Sequence, residues 1–196
     1  MSKFVVTMED NYKLNIKELI EDGLGFESGS TNQKHKTDLT GKVREIKKDT
    51  LPEEVVSNFL NGEYKTYITT DKVVLYRTYG RGYSKNKGAT WNGSYASTEF
   101  AESRIDVKIR LALKPEWLNT RLVEEKILVP IGTKIHVGLV APVTLNTGTV
   151  LAGGAEQVLL PRNWPKEWII GYREVTSKPL MDYPEFFSTP PKDNRE

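Results

Sequence analysis

Leu122-Val-Glu-Glu-Lys-Ile-Leu-Val129, Pro130-Ile-Gly132, Thr133-Lys-Ile-His-Val-Gly-Leu-Val140 is the stretch whose reading sets the fold class. Two runs of strand length, rich in Val and Ile, flank a Pro/Gly turn, which predicts two neighbouring strands joined by that turn. Upstream, Ile105, Val107, Ile109, Leu111 and Leu113 alternate with Asp106, Lys108, Arg110 and Ala112, the period-2 mark of a half-buried strand. Helical geometry would scatter those five side chains around the axis, so the pattern predicts another strand. Val73–Tyr79 is β-branched and aromatic, and Val158–Leu160 and Trp168–Val175 add two more strand-like runs. Only short helical stretches fit between them, so the expected class is α+β with an antiparallel-rich core rather than a doubly wound sheet.

The chain has 196 residues, room for one domain with an arm. Four Trp, nine Tyr and six Phe exclude a disordered chain despite 28% charged residues. Lys and Arg total 28 against 26 acids, and a surplus of +2 argues against a dedicated nucleic-acid binder. The absence of Cys excludes disulfides, thiolate zinc sites and a Cys nucleophile. His35 and His136 lie far apart, so no transition-metal site is expected, and no calcium-loop motif is present. His136, between Ile135 and Val137, reads as a solvent-side or hydrogen-bonded strand residue, with general acid/base work as the other possibility. No apolar run approaches membrane-span length, and Met1–Tyr12 carries too many charges for a secretory signal.

Three regions are expected. Residues 1–62 are a helical and linker region, 63–175 the principal domain and 176–196 a Pro-rich tail that does not build the core. Within the first, Leu14–Glu21 predicts a short helix stopping at Gly23, and Glu27–Thr40 a polar connector. Pro52–Leu60 has Pro in a first turn, two acids after it and an apolar stripe, which predicts a helix closed by Asn61-Gly62.

Three segments could carry chemistry. Arg77 sits in the apolar, aromatic run Leu75–Gly80, where a charge is costly to bury unless an anion or carboxylate meets it; a solvent-facing strand Arg is the plainer reading. Gly88–Thr98 combines small residues with Trp91 and Tyr95, suited to close backbone approach and stacking, or to an anchored surface turn. Gly153-Gly154-Ala155-Glu156-Gln157 leads two glycines into a strand, where alternation lets only Glu156 or Gln157 face a given cleft.

Taken in chain order, these segments resemble the ADP-ribosyltransferase-like superfamily. The likeness is greatest to its NAD glycohydrolase branch, which includes the tuberculosis necrotizing toxin and related bacterial polymorphic-toxin domains. It is carried by Tyr76-Arg77-Thr78-Tyr79-Gly80, Arg110-Leu-Ala-Leu-Lys-Pro115, Gly138-Leu-Val-Ala-Pro142 and Gly153-Gly154-Ala155-Glu156-Gln157, and spans about residues 64–175. Lys114 intrudes before Pro115, and Ala155 stands where the branch has a third glycine.

The resemblance implies a split antiparallel β core with short helices. It also implies a toxin-type NAD(P) glycohydrolase that cleaves the nicotinamide–ribose bond to give nicotinamide and ADP-ribose, with no cofactor beyond NAD(P) as substrate. Arg77 is then expected to grip the diphosphate, with Arg110 or Arg104 assisting. Tyr79, Trp91 or Tyr95 would sandwich the nicotinamide, and Gln157 would hydrogen-bond the ribose hydroxyls. A one-residue shift would turn Glu156 inward, and the alternative is then a protein mono-ADP-ribosyltransferase toxin. A non-catalytic binding module is the third reading. The same resemblance implies a secreted or delivered effector acting in the target-cell cytoplasm and a cognate immunity protein, with no nucleic-acid partner and no membrane span.

Overall fold

The computed structural model describes residues 36–84, 87–180 and 182–191. The chain divides into two units, Met1–Lys34 and His35–Glu196, and all the described residues belong to the second. The helix expected at Leu14–Glu21 and most of the Glu27–Thr40 connector lie outside the described residues. The elements in order are β1 (Val43–Glu45), α1 (Glu53–Val56), β2 (Lys65–Thr69), β3 (Val73–Ser84), β4 (Lys87–Ala89), β5 (Tyr95–Ser97) and α2 (Arg104–Arg110). There follow β6 (Val123–Val129), β7 (Lys134–Leu139), β8 (Val143–Thr144), β9 (Val150–Leu151), β10 (Glu156–Leu159) and β11 (Ile169–Glu174).

The main sheet runs β1-β2-β7-β10-β5-β3-β6-β11, with β4 on β3 and a separate β8-β9 pair. Its pairings are antiparallel, which makes the chain an α+β protein dominated by antiparallel sheet. The sheet has two halves, β1-β2-β7-β10 and β3-β6-β11, and β5 joins them, touching β3 through the single registered pair Tyr76–Ser97.

The Pro130–Gly132 turn therefore does not close a hairpin, contrary to the sequence expectation: β6 pairs with β3 and β11, β7 with β2 and β10. Thr69, at the end of β2, explains why. Its hydroxyl donates to Pro130 O (2.7 Å) and accepts from Thr133 N (2.8 Å), while Gly132 N donates to its carbonyl (2.8 Å). The turn folds around a buried threonine that satisfies its backbone, and the two strands leave on separate halves.

Alternation builds the core on one face. Val73, Leu75, Ala96, Ile127, Val129, Ile135, Val137 and Val158 cluster there with Trp164, and cross-strand pairs such as Leu75–Ile127 and Val137–Val158 set the register. Residues 43–62, assigned from sequence to the N-terminal region, join this unit: β1 pairs with β2, and Phe59, 1% exposed, bridges to Val140. That bridge also shortens the expected 52–60 helix to α1, because Phe59 turns extended (φ −95°, ψ 138°) to reach Val140 and pack on Tyr64.

The predicted strand at Ile105–Leu113 is instead helix α2 followed by a loop. Ser103 caps the helix by accepting from Asp106 N (3.2 Å), a Ser-x-x-Asp start that overrides the alternation. The apolar residues are scattered as helical geometry demands. Ile105 is 57% exposed, Val107 and Leu111 pack with Ala101 and Val175, and Ile109 packs on Val140 and Leu151. The tail is tied to the sheet, Phe187 pairing with Tyr172 and Tyr183 Oη lying 3.0 Å from Tyr76 Oη.

Candidate functional site

The glycines of Gly153-Gly154 are required by backbone geometry. Both have positive φ (69° and 84°), and a Cβ on Gly153 would lie 2.6 Å from Val140 O. Gly153 N donates to Ile109 O (3.0 Å) and Ala155 N to Arg110 O (3.3 Å), so this stretch receives the end of α2. The 110–115 segment is thereby held beside the start of β10.

Between them lies a cavity of about 430 Å³. Its walls come from Ser57-Asn58 after α1, Tyr76–Thr78 of β3, Tyr95-Ala96 of β5, Leu111–Lys114 with Trp117 and Asn119, Val140-Ala141 with Val143, and Gln157 of β10. All four segments that carry the family resemblance thus contribute to one cavity, which is mostly apolar with a few polar groups, as small-molecule sites are.

Gln157 is 6% exposed and donates through Nε2 to Asn58 O at 2.7 Å. Because only the amide nitrogen can donate to a carbonyl, that bond fixes the orientation of the side chain and leaves Oε1 and a second N–H for other partners. Asn58 is itself held: its carbonyl also accepts from Ala141 N (2.9 Å), and its amide donates to Glu54 O (2.8 Å) and Tyr95 Oη (3.1 Å). Burial pushes the Tyr95 hydroxyl above its ordinary pKa, so it stays neutral. Glu156 is absent from the cavity wall, and its carboxylate lies 3.3 Å from Lys36 Nζ. Of the adjacent pair, the register turns Gln157 to the cavity and Glu156 away from it.

Arg77 is placed differently from the sequence expectation. Ser97 pairs with both Tyr76 and Gln157, so Gln157 shares a face with Tyr76, while Arg77 belongs to the core face of Val73 and Leu75. Three consecutive residues, Tyr76, Arg77 and Thr78, can line a cavity only if strand main chain contributes. The Arg77 guanidinium donates to Trp91 O (3.0 Å), Tyr95 O (2.6 Å) and Thr90 O (2.8 Å), and its Nε lies 4.0 Å from Glu125 Oε1. A Cβ on Gly93 would collide with it, so the 90–95 loop wraps the guanidinium closely. Arg77 therefore acts as a clamp on the loop that supplies Tyr95.

The remaining expected residues separate. Tyr95 lines the cavity, whereas Tyr79 does not, and Trp91 meets Trp164 edge-on at 5.4 Å against the core. Arg104 donates to Val175 O (2.7 Å) with Glu174 3.6 Å away, Arg110 pairs with Glu99, and neither borders the cavity. His136 is hydrogen-bonded to Thr66 (3.1 Å) and edge-on to Tyr64, away from the cavity. Sequence reasoning assigned no role to Asn58, Lys114, Trp117 or Asn119. Only Lys114 had left a signal, as the residue interrupting a motif.

Glu125 stands behind Arg77, 0% exposed, with neither carboxylate oxygen hydrogen-bonded. Burial pushes its pKa up to about 8, opposed by Arg77. The folded chain therefore holds a proton on Glu125 that the unfolded chain has released. The associated stability is full below the ordinary carboxylate range and is lost as pH rises through about 8. Glu125→Gln should flatten the fall of Tm between pH 5 and 9, an effect on the order of a few kcal/mol. Thermal melts across that range check it, and identical slopes for the two proteins would refute it.

Among the described residues, no group of three or more His, Asp or Glu could hold a metal ion, and no helix is long and apolar enough to cross a membrane. No family model matches the chain, and no curated protein matches it. Among solved structures, it is similar to a chain described as "Structure of Tne2 in complex with Tni2", with a TM-score of 0.48 and 20% identity over 61% of this chain and 99% of that one.

Proposed function

We propose that this chain is a toxin-type NAD(P) glycohydrolase built on an ADP-ribosyltransferase-like core. The observation that supports the reading is the convergence of the four resemblance segments on one cavity, with Gln157 on its wall. Nicotinamide leaves NAD(P) as a neutral molecule, so the site need mainly orient the dinucleotide and stabilise positive charge on an oxocarbenium-like ribose. The C1′–N bond breaks with its electron pair departing on nicotinamide; water adds at C1′ and releases a proton to solvent. Gln157, held by Asn58 O, offers Oε1 to the ribose hydroxyls, and Tyr95 and Trp117 offer flat faces to the ring. No Asp or Glu lines the cavity among the described residues. That favours water over a carboxylate-assisted transfer to protein, for which Glu156 would have to replace Gln157 at the wall.

In the same reading the protein is a delivered effector, and its immunity partner covers the rim where Trp117 and Leu118 are 44% and 42% exposed. The test is incubation with NAD or NADP, with and without protein acceptors, followed by chromatography of nicotinamide and ADP-ribose. Free ADP-ribose appearing at the same rate as nicotinamide is expected. ADP-ribose on an acceptor would replace this reading with the transferase, and unchanged dinucleotide would replace it with a binding module.

A further inference from the structure

A dinucleotide brings phosphate oxygens into any site it occupies, and the arginines expected to meet them are engaged elsewhere. Arg77 commits three of its five N–H donors to backbone carbonyls, and Arg104 and Arg110 lie off the cavity with Glu174 and Glu99. Apart from Arg77, the cavity wall carries one cationic side chain among the described residues, Lys114. We infer that Lys114 is the phosphate-binding cation of this cavity, receiving the diphosphate oxygens of the substrate; this rests on the reading of the cavity as an NAD(P) site.

Its surroundings fit that use. No carboxylate of the described residues pairs with Lys114, and its Nζ lies 5.5 Å from the centre of the Trp117 ring, which lines the same cavity. Lys114 is extended (φ −63°, ψ 140°), a conformation the following Pro115 enforces. The chain around it is held in an uncommon backbone: Ala112, Leu118 and Arg121 have φ of 46°, 51° and 56°. Left-handed conformations at non-glycine residues persist where surrounding contacts impose them, and they concentrate at ligand sites. The contacts here are Asn119 Nδ2 on Thr78 O (3.1 Å) and Arg121 N on Asn119 Oδ1 (2.9 Å). A compact ammonium on such a segment suits phosphate as a point charge.

The experiment compares wild type with Lys114→Met and Lys114→Arg on NAD and on nicotinamide riboside, which has the same glycosidic bond but no phosphate. Lys114→Met should raise KM for NAD about tenfold or more with kcat little changed. The riboside reaction should be unaltered, and Lys114→Arg should retain most of the NAD affinity. Calorimetric titration with ADP-ribose should show the same tenfold weakening in Lys114→Met without any turnover. An unchanged KM and ADP-ribose affinity, or equal damage to the riboside reaction, would overturn the inference. If the wild type leaves NAD intact, the glycohydrolase reading falls and the ADP-ribose titration alone decides Lys114; failure of the wild type to bind ADP-ribose overturns both.

Discussion

Under the proposed glycohydrolase reading, Gln157→Ala should lower nicotinamide release from NAD about a hundredfold or more, while Glu156→Ala leaves it within about twofold of wild type. The two residues are sequence neighbours on β10, so the contrast depends wholly on which face each occupies. Gln157 is buried on the cavity wall with Nε2 bound to Asn58 O at 2.7 Å, and its acceptor oxygen is thus positioned before substrate arrives. Preorganised dipoles need not reorient as charge develops on the ribose, which is why removing one has a large kinetic effect. Glu156 is paired with Lys36 away from the cavity, and truncating it breaks only a partly exposed ion pair. Steady-state kinetics with both variants, alongside melts showing that each is folded, decide the matter. Equal losses, or loss in Glu156→Ala alone, would mean that the transferase reading describes the site better.

Arg77→Ala should destabilise the fold by about 3–5 kcal/mol, since it removes three hydrogen bonds from a charged donor, each worth about 1.5–3 kcal/mol before the loop relaxes. Three backbone carbonyls of the 90–95 loop would lose their donor, and the guanidinium 4.0 Å from buried Glu125 would be gone. For a chain of this size that is a fall in Tm of about 10 °C. Activity should fall with it, because Tyr95, positioned by this loop, bonds to the same Asn58 that holds Gln157. A diphosphate-gripping arginine would behave otherwise, raising KM with little change in Tm. Arg77→Lys separates the two further: a single ammonium cannot reproduce the donor fork that reaches Thr90, Trp91 and Tyr95, so it too should melt early. A normal melting temperature in both variants would refute the clamp.

The strands were legible because period-2 burial is written directly in the residues: Val73, Leu75, Ile127, Val129, Ile135, Val137 and Val158 all alternate onto the core face. The same rule misread Ile105–Leu113, where alternation is an accident of composition. A capping serine and a solvent-facing Ile105 belong to a helix, and Ser103 with Asp106 was the signal available to find it. Alternation likewise showed that only Glu156 or Gln157 could face a cleft, but which one depends on register, and register is set by the neighbouring strands. The roles of the arginines were illegible for a related reason. A guanidinium in an apolar strand announces that something must satisfy it, and the sequence does not say whether that is a phosphate or the carbonyls of a loop further along the chain.

By itself, then, the sequence determined the antiparallel α+β character and the strands that build the core, since composition and periodicity are local properties of the chain, while the four segments that line the cavity were singled out by their resemblance to a known family. Only the tertiary structure decided that the 130–132 turn separates its strands around Thr69, that Arg77 binds the carbonyls of the 90–95 loop, and that Asn58 and Lys114 stand at the cavity beside Gln157. Each of these depends on which distant backbone groups a side chain meets, and hydrogen-bonding partners from remote segments are fixed only once the chain has closed on itself.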